Sequence, residues 1–442
     1  MKQNRSLWTL LAVLLVASLV IAACTSTAVT PAPVDEEPVD EQPVVVGGID
    51  CTGVTAGDTI SMLYQWSGEE ESKLTQILEP WSNACGVTVT PESSRDQALL
   101  DTRVQAGTPP DIAFWNVTQL TQYKDKLVDM TTLGANAANY AGYWGEIGTV
   151  DGRWLGLPVK ADVKTLIWYS PANFTAAGYT VPTTWAELDT LVEKMVADGN
   201  VPWSLGMESG DATGWTGTDF IQDILLVTQG PDYVSKIITG EISYSDAGVK
   251  EAYEIYGKWA MDPAYTVAGA EGTLSTGFND AILKVFSDTP EAFMVKQSGF
   301  ASGTLLGTYP DKVYGVDYDF FGVPGAQGLQ GGSDWLMAFN DTPAVRSLIK
   351  YLSSDQGGQK WAEVGFDLTP NATGNDYYAS EEAIKKAELL SSATGYTPDI
   401  GDSIPGGFGS AEFSGITDFV NGGDLSAILD TIAAAQADAL VK

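Results

Sequence analysis

The sequence predicts an α/β protein of more than one lobe, and three observations predict it. Strand-like runs alternate with amphipathic helical runs through the first part of the chain, the pattern of a parallel sheet with right-handed crossovers. A second unit of the same kind begins at Leu166. With 442 residues, 44% of them hydrophobic and 10% aromatic, the chain exceeds one ordinary core and has the apolar content to fill two or three.

The chain opens with Lys2 and Arg5, an apolar run from Leu7 to Ala23, and Cys24. That run is short for a spanning helix and has the charged and apolar regions of a secretory signal. Ile21-Ala22-Ala23-Cys24 resembles the lipobox of bacterial lipoproteins, which implies a signal peptide over 1–23 and a lipidated Cys24. Residues 24–57 are rich in Thr, Pro and Val, carry Asp35, Glu36, Glu37, Asp40 and Glu41, and lack periodicity. They read as a disordered, self-repelling tether. Lipidation of Cys24 would leave Cys51 and Cys85 as an available pair in an oxidising compartment, with two free thiols as the other reading.

Ile60, Met62, Tyr64 and Trp66 alternate as a strand that Ser67-Gly68 breaks. Glu69-Glu70-Glu71 then opens a helix whose positive end suits carboxylates, with Leu74, Ile77, Leu78 and Trp81 on one buried face. Val87 to Thr90 follow as a strand and Gln97 to Ala106 as a helix. In Gly107-Thr108-Pro109-Pro110-Asp111-Ile112-Ala113-Phe114-Trp115 the prolines stop the helix, Ile112 to Phe114 read as a buried strand, and Trp115 ends it. Ligands bind beyond the carboxyl ends of such strands, so Trp115 is either a cleft platform or a cap on the core.

Asp151 to Pro158 reads as a hairpin leading into a strand, and Leu166 to Tyr169 as another strand. Thr184 and Glu187 form a capping box for a helix that Gly199 ends. A helix spans Asp219 to Val227 after the glycine-containing loop Gly210 to Thr216. Strands fall at Ala292 to Val295 and Asp317 to Val323, a helix at Pro343 to Leu352, and a last helix at Leu425 to Leu440.

Charge and composition exclude several functions. A net charge of -34 and a pI near 4.1 repel nucleic acid and acidic membrane surfaces, and favour an uncharged or cationic ligand. The chain has no histidine, which removes Ser-His-Asp triads, Cys-His pairs and His-containing zinc sites. No catalytic residue, cofactor or metal is expected.

Ala106 to Asp111, Leu166 to Phe174 followed by Pro182 to Leu188, Gly331 to Asp334, Phe339 to Pro343 leading to Tyr351-Leu352-Ser353, and Trp361 to Asn371 occur in an order that resembles the extracellular solute-binding proteins of ABC importers. The similarity is to the sugar-binding branch that includes maltose- and alpha-glucoside-binding proteins. It implies a periplasmic-binding-protein-like α/β fold, with two lobes joined by three crossings around a cleft. The crossings would lie near Lys160 to Lys164, Gly331 to Trp335 and Leu368 to Asn371. One lobe would take residues 58–162 and 334–368, and the other 163–333 and 369–442. The implied partners are a sugar and the transmembrane subunits of a permease. The implied protein is a monomer that meets the membrane only through its lipid anchor, on the outer face of the cytoplasmic membrane.

A sugar offers apolar faces and a rim of hydroxyls, so its receptor needs flat aromatics and polar side chains. Helix periodicity assigns Trp81 to packing, and Trp185, Trp259 and Trp361 are left in the core with it; Trp66, Trp115, Trp215 and Trp335, at loop or strand ends, are the aromatic candidates. The resemblance favours Trp115 and Trp215 and adds Phe413. Glu69, Glu70, Asp96, Lys164, Asp211, Gln297 and Asp334 are the polar candidates. Two other readings compete: a glycosidase pairing Glu69 with Asp334, and a solute receptor for a peptide or a polyol phosphate.

Overall fold

The computed structural model describes residues 44–94 and 96–441. The signal peptide, Cys24 and the tether through residue 43 lie outside the described residues. The described part of the tether is folded, against expectation. Val45–Val46 pairs antiparallel with Ile49–Asp50 across Gly47-Gly48, whose φ values of 59° and 87° are those a two-residue hairpin requires. The hairpin is fastened to the body at several points. Cys51 and Cys85 are disulfide-bonded with Cα atoms 5.3 Å apart, Lys350 reaches Asp50 at 2.6 Å, and Ser347 donates to the Asp50 carbonyl at 2.6 Å.

The first lobe is built on a five-stranded sheet in the order Thr88–Ser93, Thr59–Tyr64, Ile112–Trp115, Ser333–Ala338, Leu157–Ala161. The first three strands are parallel, and Ser333–Ala338, arriving from far along the chain, runs antiparallel to both its neighbours. Helix Glu69–Cys85 covers one face with Leu74, Ile77, Leu78 and Trp81, and the Trp81 indole donates to Ser347 Oγ at 2.9 Å. The expected amphipathic face is therefore the one the helix buries.

The second lobe holds a three-stranded antiparallel sheet in the order Met294–Lys296, Leu166–Tyr169, Asp319–Gly322. Helix Trp215–Thr228 runs through its core with Gly217 to Leu226 all buried, packed near Trp203, Tyr256 and Trp259. Helix Trp185–Ala197 begins with the capping box of Thr184 and Glu187.

Chain segments bonded edge to edge join the lobes. Ala161 N donates to Leu368 O at 2.8 Å, Asp162 N to Gly332 O at 3.0 Å, and Lys164 N to Gln330 O at 2.8 Å. The Tyr396 hydroxyl lies within hydrogen-bonding distance of the Asp162 and Gly332 carbonyls, and a Cβ at Gly331 would collide with that hydroxyl. Asn371 binds Leu352 and Ser354 of the first lobe, and Ala372–Tyr377 packs on helix Asp355–Val364. Helix Glu381–Ser392 bonds both sides, through Leu390 to Tyr143, Glu382 to Tyr318 and Lys385 to Asp319.

Candidate functional site

Strand ends and lobe-joining segments converge between the two sheets, and their side chains divide into a charged floor and an aromatic corner. On the first-lobe side, Lys160 Nζ lies 3.0 Å from Asp367, 3.4 Å from Asp334 and 3.5 Å from Glu70. Asp334 also accepts from Gln65 Nε2 at 2.9 Å and Trp66 Nε1 at 3.1 Å. Burial alone would lower the Lys160 pKa; the Asp367, Asp334 and Glu70 carboxylates reverse this and raise it. Asp367 holds a left-handed backbone, φ 48°, which strains a non-glycine residue and places its carboxylate at the ammonium.

On the second-lobe side, Lys164 Nζ lies 2.8 Å from Asp399 and 3.2 Å from Asp219. Gln330 donates to both carboxylates, and buried Lys296 lies 3.1 Å from Asp223. Burial pushes the Asp219 carboxyl up to about 7 although Lys164 and Lys296 oppose it. Burial also opposes ionisation of Asp399, but Lys164 overcomes it and keeps that group well below the usual carboxylate range. Burial lifts Asp162 to about 6 and Glu412 to about 8.

The aromatic corner consists of Trp215, Phe278 and Phe300. Trp215 lies 5.3 Å from Phe278 and 6.3 Å from Phe300 between ring centroids, with Lys164 Nζ 5.9 Å from its own ring. Two cavities open along the joining segments. One, of about 360 Å³, is lined by Asn116, Gly332, Ser333, Asp334, Asp399 and Asp402. The other, of about 350 Å³, is lined by Asp162, Ser298, Phe300, Asp367, Tyr378 and Lys386. Lys160 connects them, since Asp334 borders the first and Asp367 the second.

Of the expected ligand residues, the structure brings Trp215, Asp334, Glu70 and Lys164 to this region, with Phe413 half-buried where its backbone closes on Gly214. The Lys164 ammonium is already committed to carboxylates. Several others are corrected. Trp335 is fully buried, edge-on to Trp144, because its strand lies inside the sheet. Trp66 is 2% exposed, with Phe114 at 5.0 Å and Phe366 at 4.9 Å, so its ring is a packing element that offers Asp334 an N–H. Trp115 is 3% exposed and offers too little surface for a sugar face, while the next residue, Asn116, lines the cavity. Gln297 is buried and accepts from Ser298 N, Glu69 points to Lys73 at 3.1 Å, and Asp96 caps helix Gln97–Gln105 through Ala98 N. Asp211 is exposed in the turn Gly210–Ala212.

Sequence reasoning missed Lys160, Asp367, Asp399, Asn116, Phe278 and Phe300. A signal for Phe300 was present, since Gln297-Ser298-Gly299 leads from a strand to it in a loop-like, glycine-containing stretch. Among the described residues, no group of three or more acids or cysteines is arranged to hold a metal ion, and no helix is long and apolar enough to cross a membrane. The region can hold an uncharged, hydroxyl-bearing solute, with carboxylates for its rim and rings for its faces.

Comparison with known proteins agrees with that chemistry. A family model described as bacterial extracellular solute-binding protein matches residues 66–359. The osmoprotective compounds-binding protein GgtB of Synechocystis is 33% identical over 387 residues, covering 84% of this chain and 91% of the relative. The alpha-glucosides-binding periplasmic protein AglE of Rhizobium meliloti is 34% identical over 391 residues, covering 83% and 84%. Among solved structures, the bacterial solute receptor AcbH, whose stated preference is β-D-galactopyranose, superposes with a TM-score of 0.74 at 17% identity, covering 87% of this chain and 98% of that one. Apo RafE of Streptococcus pneumoniae gives 0.69 at 17% identity, covering 88% and 99%.

Proposed function

The chain belongs to the bacterial extracellular solute-binding protein family, and from that premise we propose that it captures a carbohydrate outside the cytoplasm and hands it to the transmembrane subunits of an ABC importer. The observation that carries the reading is the pairing of the Trp215, Phe278 and Phe300 rings with the Glu70, Asp334 and Asp367 carboxylates in one inter-lobe region. The relative named for alpha-glucosides supports a glycoside as the solute. Closure of the lobes around the sugar would present the loaded form to the permease. The protein acts as a monomer without catalysis, anchored through lipidated Cys24 to the outer face of the cytoplasmic membrane.

Thermal unfolding of residues 44–442 against mono-, di- and oligosaccharides tests the reading. A sugar at 100 times its dissociation constant stabilises by about 2.7 kcal/mol, which a melting curve resolves. Absence of any shift, or release of reducing ends from an oligosaccharide on incubation, would overturn it. A shift produced by peptides alone would keep the family and change the solute.

A further inference from the structure

Resting on the saccharide reading, we infer that Phe300 sets the length of the ligand: it takes a second sugar ring beside the one on Trp215, so the preferred solute has at least two rings. Phe300 is 41% exposed, and the residue before it is held at both its N–H and its carbonyl. The preceding Gly299 donates its N–H to Val163 O at 3.0 Å, in the first joining segment, and its carbonyl accepts from Lys386 Nζ at 3.1 Å. The Phe300 ring packs 6.0 Å from Phe278 and 6.3 Å from Trp215, and a ring placed before binding spares the cost of ordering it.

The geometry then selects the ligand. The Phe300 and Trp215 rings are 6.3 Å apart and inclined by 45°, so one pyranose cannot lie flat on both, whereas two linked rings can each take one. Phe278 braces the pair, at 5.3 Å from Trp215 and 6.0 Å from Phe300, steeply inclined to each. Beyond Phe300 the 350 Å³ cavity supplies Ser298 and Asp367 for the second ring's hydroxyls. A monosaccharide on Trp215 would leave this end of the region unused.

Calorimetric titration of wild type, Phe300→Ala and Phe300→Trp with glucose, galactose, maltose, trehalose and melibiose tests the inference. Wild type is expected to bind a disaccharide about tenfold or more tightly than its component monosaccharide. Phe300→Ala should abolish that advantage by weakening disaccharide binding about tenfold more than monosaccharide binding, and Phe300→Trp should restore it. Because Phe300 is 41% exposed, Phe300→Ala should lower the ligand-free melting midpoint only modestly and leave the protein folded. An unchanged ratio in Phe300→Ala, or equal weakening of both sugar classes, overturns the role of Phe300 and leaves the receptor reading standing. Wild type that binds none of the five overturns the two-ring inference, while the receptor reading falls only if no saccharide of the wider panel shifts the melting midpoint.

Discussion

Trp66 donates its indole N–H to Asp334 Oδ2 across 3.1 Å, joining the end of the first long strand to a residue 268 positions later. The bond turns an expected sugar platform into a support for an expected sugar acceptor. Asp334 is thereby aimed by Trp66, Gln65 and Lys160 together.

Asp334→Asn should therefore act on both stability and binding. An amide cannot accept from all these donors, and a buried N–H left unmet costs about 1–3 kcal/mol. The melting midpoint should fall, and saccharide affinity should drop by about tenfold or more. Wild-type affinity in this variant would remove Asp334 from the hydroxyl rim.

Trp66→Ala and Trp215→Ala should separate packing from recognition. Trp66 is 2% exposed among Phe114 and Phe366, so its truncation should destabilise by about 3–5 kcal/mol. Trp215 is half-buried, and its truncation should cost affinity more than melting temperature. Paired melting and titration curves decide this, and a reversed pattern would reassign both rings.

Glu412→Gln should stabilise in a pH-dependent way. Burial, the nearby Asp399, Asp219 and Asp402 charges, and the surrounding apolar core lift its folded-state carboxyl to about 8 from 4.5. The folded state then binds the extra proton, so wild-type stability falls as pH rises from about 4.5 to 8. Glutamine is neutral throughout and should raise Tm by about 2 °C or more at pH 8.5, with no gain at pH 4. A gain of equal size at both pH values would contradict the shift.

Replacing Cys51 and Cys85 together by Ala should destabilise by about 3–4 kcal/mol on the chain-entropy model, since the bond closes a separation of 34 residues. Denaturant melts with and without reductant measure it. A wild type insensitive to reductant under partly denaturing conditions would count against the bond.

Local chemistry was the legible part of this fold. The capping box at Thr184 and Glu187, the strand Leu166–Tyr169 and the helix Pro343–Leu352 follow from side chains within a few residues of one another. The site was less legible because its contacts are long-range. The strand-end rule led to Trp115, yet burial by the opposite strand passes the exposed position to Asn116. Trp335 sits at the start of a strand that the sheet then encloses, a fact set by strand order rather than by its neighbours in sequence. The pairings of Lys160 with Asp367 and of Lys164 with Asp399 cross between segments whose proximity no periodicity encodes. The Gly-Gly hairpin at residues 45–50 was readable from its turn, but the acidic stretch before it dominated the reading.

The clip at the amino end bears on mechanics. A pull applied to the chain ahead of Val45 would reach Cys51 and pass through the disulfide into helix Glu69–Cys85, while the Asp50 contacts to Lys350 and Ser347 share the load. The two-residue hairpin ladder lies ahead of that anchor, so it takes the load first and can open without straining the body behind it. A pull at that end therefore enters the first lobe, and no such line leads into the second.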